Sequence, residues 1–144
     1  MFSKACEYGI KAAIFIALKS EEDSRVSLNE IGQGINSPIA FTAKILQKLT
    51  KANIVDSIKG PTGGYEIKKN NASQIWLSQI VNAIDGDSIY NGCGLGFQNC
   101  NDEKPCPVHH KFKIVRNKLK QLLENTSLLD LSKDINKGIT FLKY

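Results

Sequence analysis

Three of the four cysteines of this 144-residue chain lie close together in its second half. Cys93, Cys100 and Cys106 fall within 14 residues, and this clustering indicates metal or redox chemistry more than packing. The Cys-x-x-Cys turns typical of structural zinc sites are absent, whereas iron–sulfur clusters accept wider spacing between their thiolates. We therefore expect an iron–sulfur cluster. Zinc, a reduced thiol loop without a ligand, and a peroxide-sensing thiol pair remain as alternatives.

A fourth donor is available directly after the third cysteine. His109 follows Cys106 by three positions, so both side chains would face the same way if a helix begins near Cys106. His110 would project about 100° away from His109, toward solvent. Glu7 lies early on the first predicted helix, where it is either an exposed carboxylate or a group that a partner subunit brings to the cysteines. Cys6 stands apart, and a lone helical cysteine is most often a small buried hydrophobe.

The clustered cysteines lie in a long predicted loop that leads into a helix. Residues 86–110 contain four glycines and two prolines, and a loop of this length is usually functional or disordered. After it, apolar residues recur at intervals of three, four and three, which is the narrow seam of a coiled-coil helix. We predict a dimerisation helix over about residues 107–125. Its predicted interface residues are Phe112, Val115, Leu119 and Leu122.

The first half of the chain has the helix order of a helix-turn-helix. An amphipathic first helix is followed by Ser27-Leu28-Asn29-Glu30, a capping box that starts a short second helix. Ser37 as N-cap and Pro38 at the first helical position predict a third helix that ends near Ala52. In such a motif the third helix is the one that enters the major groove of DNA.

A β-hairpin is predicted directly after these helices. Alternating runs at residues 55–59 and 65–68 are joined by a glycine-rich turn, which permits positive φ in the connection. The predicted fold class is therefore mainly α with a small β-hairpin. We expect a winged helix-turn-helix over residues 1–72. Residues 73–144 would supply a connecting helix, the cysteine loop and the long C-terminal dimerisation helix.

Basic residues favour nucleic acid as the partner. Nineteen Lys and Arg against 14 Asp and Glu give a formal net charge of +5, and a basic balance favours anionic partners. Lys44, Lys48 and Lys51 lie along one face of the third predicted helix, and Lys59 flanks the turn of the hairpin. The predicted contacts to double-stranded DNA are Ser37, Thr42, Lys44, Lys48, Lys51, Lys59, Thr62 and Gly63.

Other functional classes are less compatible with the sequence. The longest apolar run, Ala12–Leu18, is far shorter than the ~20 residues of a membrane-spanning helix, so no membrane partner is expected. The first residues lack the pattern of a secretion signal, which predicts a cytoplasmic protein, where disulfides are disfavoured. No catalytic constellation accompanies the two histidines, so no enzyme is expected. An iron–sulfur electron-transfer or cluster-carrier protein remains the alternative from another class.

Taken in order, these motifs resemble those of the IscR and NsrR family of bacterial winged-helix transcription regulators. The resemblance runs from Glu7-Tyr8-Gly9-Ile10 through residues 41–46 to the wing sequence Lys59-Gly60-Pro61-Thr62-Gly63-Gly64-Tyr65, and on to the cysteines and the long helix. It implies a homodimer paired through the long helices and a palindromic operator. It also implies an iron–sulfur cluster whose presence or state sets the affinity for DNA.

The resemblance implies a ligand set as well. The iron–sulfur biogenesis regulators of this family are the closer match, and they imply a [2Fe–2S] cluster on Cys93, Cys100, Cys106 and His109. Nitric-oxide-sensing members instead bind a [4Fe–4S] cluster with an acidic residue of the other subunit, which corresponds to Glu7 here. Six residues separate Cys93 from Cys100 where the family pattern has five.

Other members of the family lack a cluster, which leaves a cluster-free thiol-sensing regulator as a further alternative. We predict a homodimeric, DNA-binding transcription regulator that senses redox, nitric oxide or iron–sulfur status.

Overall fold

Residues 1–142 are described by the computed structural model, and within them the chain forms seven α-helices and one two-stranded antiparallel sheet. In chain order these are α1 (Lys4–Glu21), α2 (Leu28–Gly34), α3 (Ile39–Lys51), β1 (Asp56–Ile58), β2 (Gly64–Glu66), α4 (Leu77–Asp85), α5 (Ser88–Asn91), α6 (His109–Asn125) and α7 (Leu128–Asn136), with a 3₁₀ turn at Ala72–Gln74. This architecture confirms the predicted fold class.

Helix α1 forms the centre of the core. It packs against α3, α4 and α7, and its Ala12, Ala13 and Ile16 are fully buried. The close approach of α4 depends on Gly9, because a Cβ there would collide with Ile84 of α4. Small residues on α1 therefore allow three other helices to pack around it.

The capping box of α2 is formed as predicted. The Ser27 hydroxyl accepts a hydrogen bond from the Glu30 backbone N–H at 3.2 Å, and the Glu30 carboxylate accepts from the Ser27 N–H at 2.7 Å. A turn through Asn36, whose φ is +54°, then redirects the chain into α3. The start of α2 is thus set by local hydrogen bonds.

The start of α3 differs from the prediction. Pro38, not Ser37, is the N-cap residue, and no side chain caps this helix. The predicted cap is wrong because Ser37 points inward, where its Oγ lies 2.9 Å from the Oγ1 of Thr42. Thr42 Oγ1 also donates to the Pro38 carbonyl oxygen at 2.9 Å. The side chain of Thr42 therefore fixes the first turn from inside the helix-turn-helix.

The wing is a short hairpin that pairs with the segment between α1 and α2. Strands β1 and β2 pair with Ile58 opposite Gly64, and Tyr65 exchanges two backbone hydrogen bonds with Val26, at 3.1 and 2.8 Å. Gly64 has φ +139°, and a Cβ there would lie 2.8 Å from the Val26 carbonyl oxygen. A glycine is therefore required where the wing meets the Val26 segment.

The predicted loop over residues 86–110 is partly helical. Helix α5 occupies Ser88–Asn91, because the Asp87 carbonyl accepts from the Tyr90 and Asn91 N–H groups and the Asn91 amide donates to the Asp87 carboxylate. At the other end, α6 starts at His109, within the predicted dimerisation helix of about 107–125. The irregular cysteine segment is thus confined to residues 92–108.

The end of the chain packs back on its beginning. Helix α7 starts with a second capping box, from Ser127 and Asp130, and its Ser132 hydroxyl donates to the Glu21 carboxylate of α1 at 2.9 Å. Leu123 and Leu128 are fully buried in the same core as α1. One core therefore extends across the predicted boundary at residues 72 and 73, which itself stays a prediction. Between residues 1 and 142, no helix has the length and apolar character needed to cross a membrane.

Candidate cofactor site and nucleic-acid interface

The three clustered cysteines line one cavity at the start of α6. This cavity has a volume of about 310 Å³, and Cys93, Cys100, Cys106 and His109 all contribute to its wall. The three thiols are half-buried, whereas the His109 side chain is only 3% exposed. The structure therefore brings together all four residues that were predicted to act at one site.

The four donor groups lie in two pairs. Cys93 Sγ is 3.9 Å from Cys106 Sγ, and Cys100 Sγ is 3.3 Å from His109 Nδ1. Among residues 1–142, no three His, Cys, Asp or Glu side chains converge closely enough to hold a metal ion. The cavity thus presents two separate two-donor sets and not one tetrahedral set.

His109 reaches the cavity as predicted, but not by the predicted helical geometry. Cys106 is not helical, and the chain makes a turn in which the His109 N–H donates to the Cys106 carbonyl at 2.9 Å. The two side chains therefore reach the cavity across a turn that precedes α6, not along one helix face. His110, by contrast, is exposed as expected.

A carboxylate holds the buried imidazole from its other side. Asp102 Oδ1 lies 2.7 Å from His109 Nε2, and Lys113 Nζ lies 2.7 and 2.9 Å from the two oxygens of Asp102. The hydrogen bonds from Lys113 and then His109 lower the pKa of Asp102 to about 2. Asp102 is therefore a carboxylate at any pH near neutrality.

Arginine forms a second connection between α6 and the cysteine segment. Arg116 donates from Nη2 to the Cys100 sulfur at 3.2 Å and from Nη1 to the Gly92 carbonyl. His109, Lys113 and Arg116 are spaced i, i+4 and i+7, so they share one face of α6. That spacing was visible in the sequence, but the roles of Asp102, Lys113 and Arg116 were not inferred from it.

The thiols differ in acidity. The pKa of Cys93 is lowered, first by a hydrogen bond from the Leu95 backbone and also by Phe97 and Cys106. Burial, with the nearby charge of Asp85, raises the pKa of Cys6 to about 12. Cys6 is fully buried within the core, which agrees with a packing role.

Glu7, the alternative fourth ligand, lies on α1 and is not part of the cavity wall. Its carboxylate pairs with Lys4 at 2.9 Å, and this hydrogen bond lowers the pKa of Glu7. Within one subunit the histidine, and not the glutamate, accompanies the cysteines.

Helix α3 presents a basic outer face. Lys44, Lys48 and Lys51 are exposed, as predicted, and Gln47 is exposed between them. Lys48 also donates to the Ile84 carbonyl at the end of α4, at 3.3 Å. The prediction missed Gln47, although its helical position between Lys44 and Lys51 places it on the same face.

Two predicted DNA contacts lie inside the protein. Thr42 is completely buried and Ser37 is 8% exposed, and their hydroxyls bond to each other. The prediction of these two residues as DNA contacts is wrong, because their side chains face the core and not the outer face of α3. They support the helix from within.

The predicted wing contacts lie at the tip of the hairpin. Lys59 and Thr62 are exposed, whereas Gly63 is half-buried, and a Cβ on Gly63 would collide with the Ile58 carbonyl. Arg25 braces this tip by donating to the Thr62 carbonyl at 3.2 Å and to the Glu66 carboxylate at 3.0 Å. The wing is thus attached to the segment between α1 and α2.

The outer face of α6 is apolar and exposed in the single chain. Val115 and Leu122 are 62% and 55% exposed. Phe112 is 42% exposed and covers Gly94, since a Cβ there would lie 2.8 Å from its ring. Leu119 is half-buried and packs against the core of its own subunit, and its place in the predicted seam stays a prediction. Val115 and Leu122 are therefore the most open of the predicted interface residues.

A helix-turn-helix with a basic outer helix and a braced basic wing defines the class of winged-helix transcription regulators. The comparisons with known proteins agree with this class. Residues 2–134 match the model of the Rrf2 family, described as iron-dependent transcriptional regulators, and the chain belongs to this family.

Curated relatives agree with this family, and solved structures share the fold. The HTH-type transcriptional regulator IscR of Pectobacterium atrosepticum is 27% identical over 124 residues, which cover 86% of this chain and 74% of that protein. CymR, the global cysteine regulator of B. subtilis, has a similar structure, with a TM-score of 0.74, 23% identity and coverage of 92% and 96%. T. potens IscR has a TM-score of 0.75 at 19% identity, with coverage of 98% and 92%.

Proposed function

We propose that this chain is a homodimeric transcription regulator whose affinity for DNA is set by an iron–sulfur cluster, of the [2Fe–2S] type, bound by Cys93, Cys100, Cys106 and His109. The observation that supports this most directly is the shared cavity, in which three thiols and one imidazole lie within one subunit. We propose also that the DNA partner is a palindromic operator, because a two-fold dimer presents two equivalent recognition helices.

The donor pairs fit a two-iron cluster. Two thiolates on one tetrahedral metal ion, each at about 2.3 Å from it, lie roughly 3.8 Å apart. Cys93 and Cys106 are separated by 3.9 Å, and Cys100 and His109 by 3.3 Å. A two-iron cluster needs two protein ligands for each iron, and histidine can replace cysteine on one of them. The side chains therefore match the donor number and the donor types of such a cluster.

The chain also offers a route from the cavity to the dimer face. Arg116 and Lys113 attach the cysteine segment to α6, and Val115 and Leu122 point away from the same helix toward solvent. When bound, a cluster supplies a redox-active and nitric-oxide-reactive group that orders this segment. A change in the order of residues 92–108 would then shift α6 against its partner and alter the spacing of the two α3 helices.

The experiment is an anaerobic purification followed by spectroscopy and a DNA-binding assay. We expect two iron and two acid-labile sulfide atoms per chain, a [2Fe–2S] absorption spectrum, and a different operator affinity with and without the cluster. Protein that contains tight zinc and no iron would contradict the proposal. A [4Fe–4S] spectrum that is lost in Glu7→Ala but kept in His109→Ala would identify Glu7, and not His109, as the fourth ligand.

A cluster-free thiol switch is the second candidate function. It is favoured by the 3.9 Å separation of the Cys93 and Cys106 sulfurs, since a disulfide requires only a further approach to about 2.05 Å. In this case, protein prepared without iron would form a Cys93–Cys106 disulfide with a disulfide oxidant, and its affinity for DNA would change. Unchanged affinity after complete oxidation would eliminate this candidate.

A further inference from the structure

The surroundings of His109 are more specific than packing alone requires. Its ring is buried, yet both nitrogens have a polar partner: Nε2 faces Asp102 at 2.7 Å and Nδ1 faces Cys100 at 3.3 Å. Asp102 itself is 64% exposed and lies on the irregular segment. A solvent-exposed loop carboxylate thus reaches inward to one particular nitrogen of a buried ring.

Lys113 fixes that carboxylate in place. Its Nζ contacts both Asp102 oxygens, at 2.7 and 2.9 Å, from the second turn of α6. An ionised carboxylate can only accept hydrogen bonds, so the proton between Asp102 and His109 belongs to Nε2. The neutral ring then carries its lone pair on Nδ1, the nitrogen that faces Cys100.

We propose that Asp102, held by Lys113, is a positioning residue that fixes His109 in the Nε2–H tautomer and so makes Nδ1 its ligand atom. This inference rests on the proposed function, since it concerns the histidine ligand of the same cluster. Metal-bound histidines commonly donate their other N–H to a carboxylate, which sets the tautomer and raises the basicity of the ligand. The inference thus assigns roles to two residues, Asp102 and Lys113, that lie outside the proposed ligand set.

The neighbouring carboxylate provides a matched control. Glu103 is also exposed on the same segment, and its side chain takes part in no hydrogen bond or ion pair with residues 1–142. Replacement of either acid by alanine changes the net charge equally. Any difference between Asp102→Ala and Glu103→Ala therefore reports the contacts of Asp102 with His109 and Lys113 and not the loss of a negative charge.

The first measurement is the tautomer of His109 in protein without metal, from ¹⁵N chemical shifts of the ring nitrogens. We expect the Nε2–H form in the unmodified chain and in Glu103→Ala, and a mixture of both forms in Asp102→Ala. Lys113→Met should shift the population in the same direction. A predominant Nδ1–H form in the unmodified chain, or an unchanged tautomer in Asp102→Ala, would overturn the inference.

The second measurement uses the anaerobically assembled protein and a competing iron chelator. Loss of such a carboxylate partner typically costs roughly 10- to 100-fold in metal affinity, and we expect a loss of that size in Asp102→Ala but not in Glu103→Ala. Equal iron retention in both variants would contradict the positioning role. If the unmodified chain assembles no cluster, the proposed function fails, while the tautomer measurement still decides the inference about Asp102.

Discussion

The guanidinium of Arg116 lies 3.2 Å from the sulfur of Cys100, and this contact joins the predicted dimerisation helix directly to the cysteine segment. The same side chain also binds the Gly92 carbonyl, so it fixes two points of that segment at once. Val115, the preceding residue in the chain, is exposed on the outer face of α6. Arg116 therefore links the segment to the helix that we propose to face the partner subunit.

Replacement of Arg116 by Gln should loosen the cysteine segment. The variant loses the charged donor to the Cys100 sulfur, so we expect faster amide hydrogen exchange over residues 92–108 and lower iron retention after anaerobic assembly. Lys118→Gln is the matched control, because Lys118 is exposed on the same helix. Identical exchange in both variants would show that the segment is held by other contacts.

A charge on the open face of α6 should separate the subunits. Leu122→Asp places a carboxylate in an apolar contact, where its desolvation opposes association. We expect a folded monomer at micromolar concentration by sedimentation velocity, whereas Asn117→Asp, on a different side of the helix, should remain dimeric. A folded Leu122→Asp that still sediments as a dimer would move the interface elsewhere.

The outer lysines of α3 and the wing should account for the salt dependence of DNA binding. Each of Lys44→Ala, Lys51→Ala and Lys59→Ala is expected to weaken operator binding and to reduce the salt slope by about one for each phosphate that is no longer neutralised. Lys137→Ala, after α7, removes the same charge far along the chain and serves as the control. Four equal slopes would exclude these lysines from the interface.

Thr42→Val tests the corrected role of Thr42. The substitution keeps the shape but removes the hydroxyl that bonds to Pro38 and Ser37, and we expect a loss of about 1 kcal/mol in the free energy of unfolding. Chemical denaturation measures this loss. The salt slope of DNA binding should stay unchanged, because the side chain is buried; a slope reduced like that of Lys44→Ala would restore Thr42 as a contact.

The capping box of α2 should give the fold a defined pH dependence. The hydrogen bond from the Ser27 N–H lowers the pKa of Glu30 below its ordinary value of 4.5. Its stabilisation is therefore fully present above about pH 4.5 and is lost as the pH falls through the lowered pKa. Glu30→Ala should melt below the unmodified chain at pH 7, and the difference in melting temperature should shrink as the pH falls through the lowered pKa of Glu30. Asp134→Ala is the comparison variant, and a difference that widens in acid would contradict the assignment.

The elements set by local chemistry were predictable from the sequence. Ser27 with Glu30 marked the start of α2, and the glycines of the wing marked its turn. At Gly64 the positive φ of the backbone favours glycine. These signals act over a few residues, so they do not depend on the rest of the fold. The prediction of the class of protein followed from their order.

The direction of individual side chains was harder to predict. Thr42 and Ser37 are polar, but they lie on the inner side of the helix-turn-helix, where a shared hydrogen bond satisfies them. Leu119 follows the same heptad spacing as Leu122 and yet packs against its own core. Spacing along one helix does not determine which neighbour covers each face, since that depends on elements distant in the sequence.

The contacts around the cavity could not be predicted from short sequence patterns either. Asp102 meets His109 and Lys113 only because the cysteine segment folds back over the start of α6. The sequence indicated the donors themselves, through residue type and clustering. It did not indicate the residues that orient them, because those are ordinary charged side chains until the fold brings them together.

The hydrogen bond from Lys48 to the Ile84 carbonyl connects α3 to the end of α4 within one subunit. Ile84 lies two residues before Gly86, the C-cap residue of α4, which has φ +75° and begins the connection to the cysteine segment. Lys48 therefore ties α3 to the last turn of α4, directly before Gly86. Because α6 packs against α4 and α4 packs against α3, a change in the cysteine segment that displaces α6 can also reach α3 within one subunit.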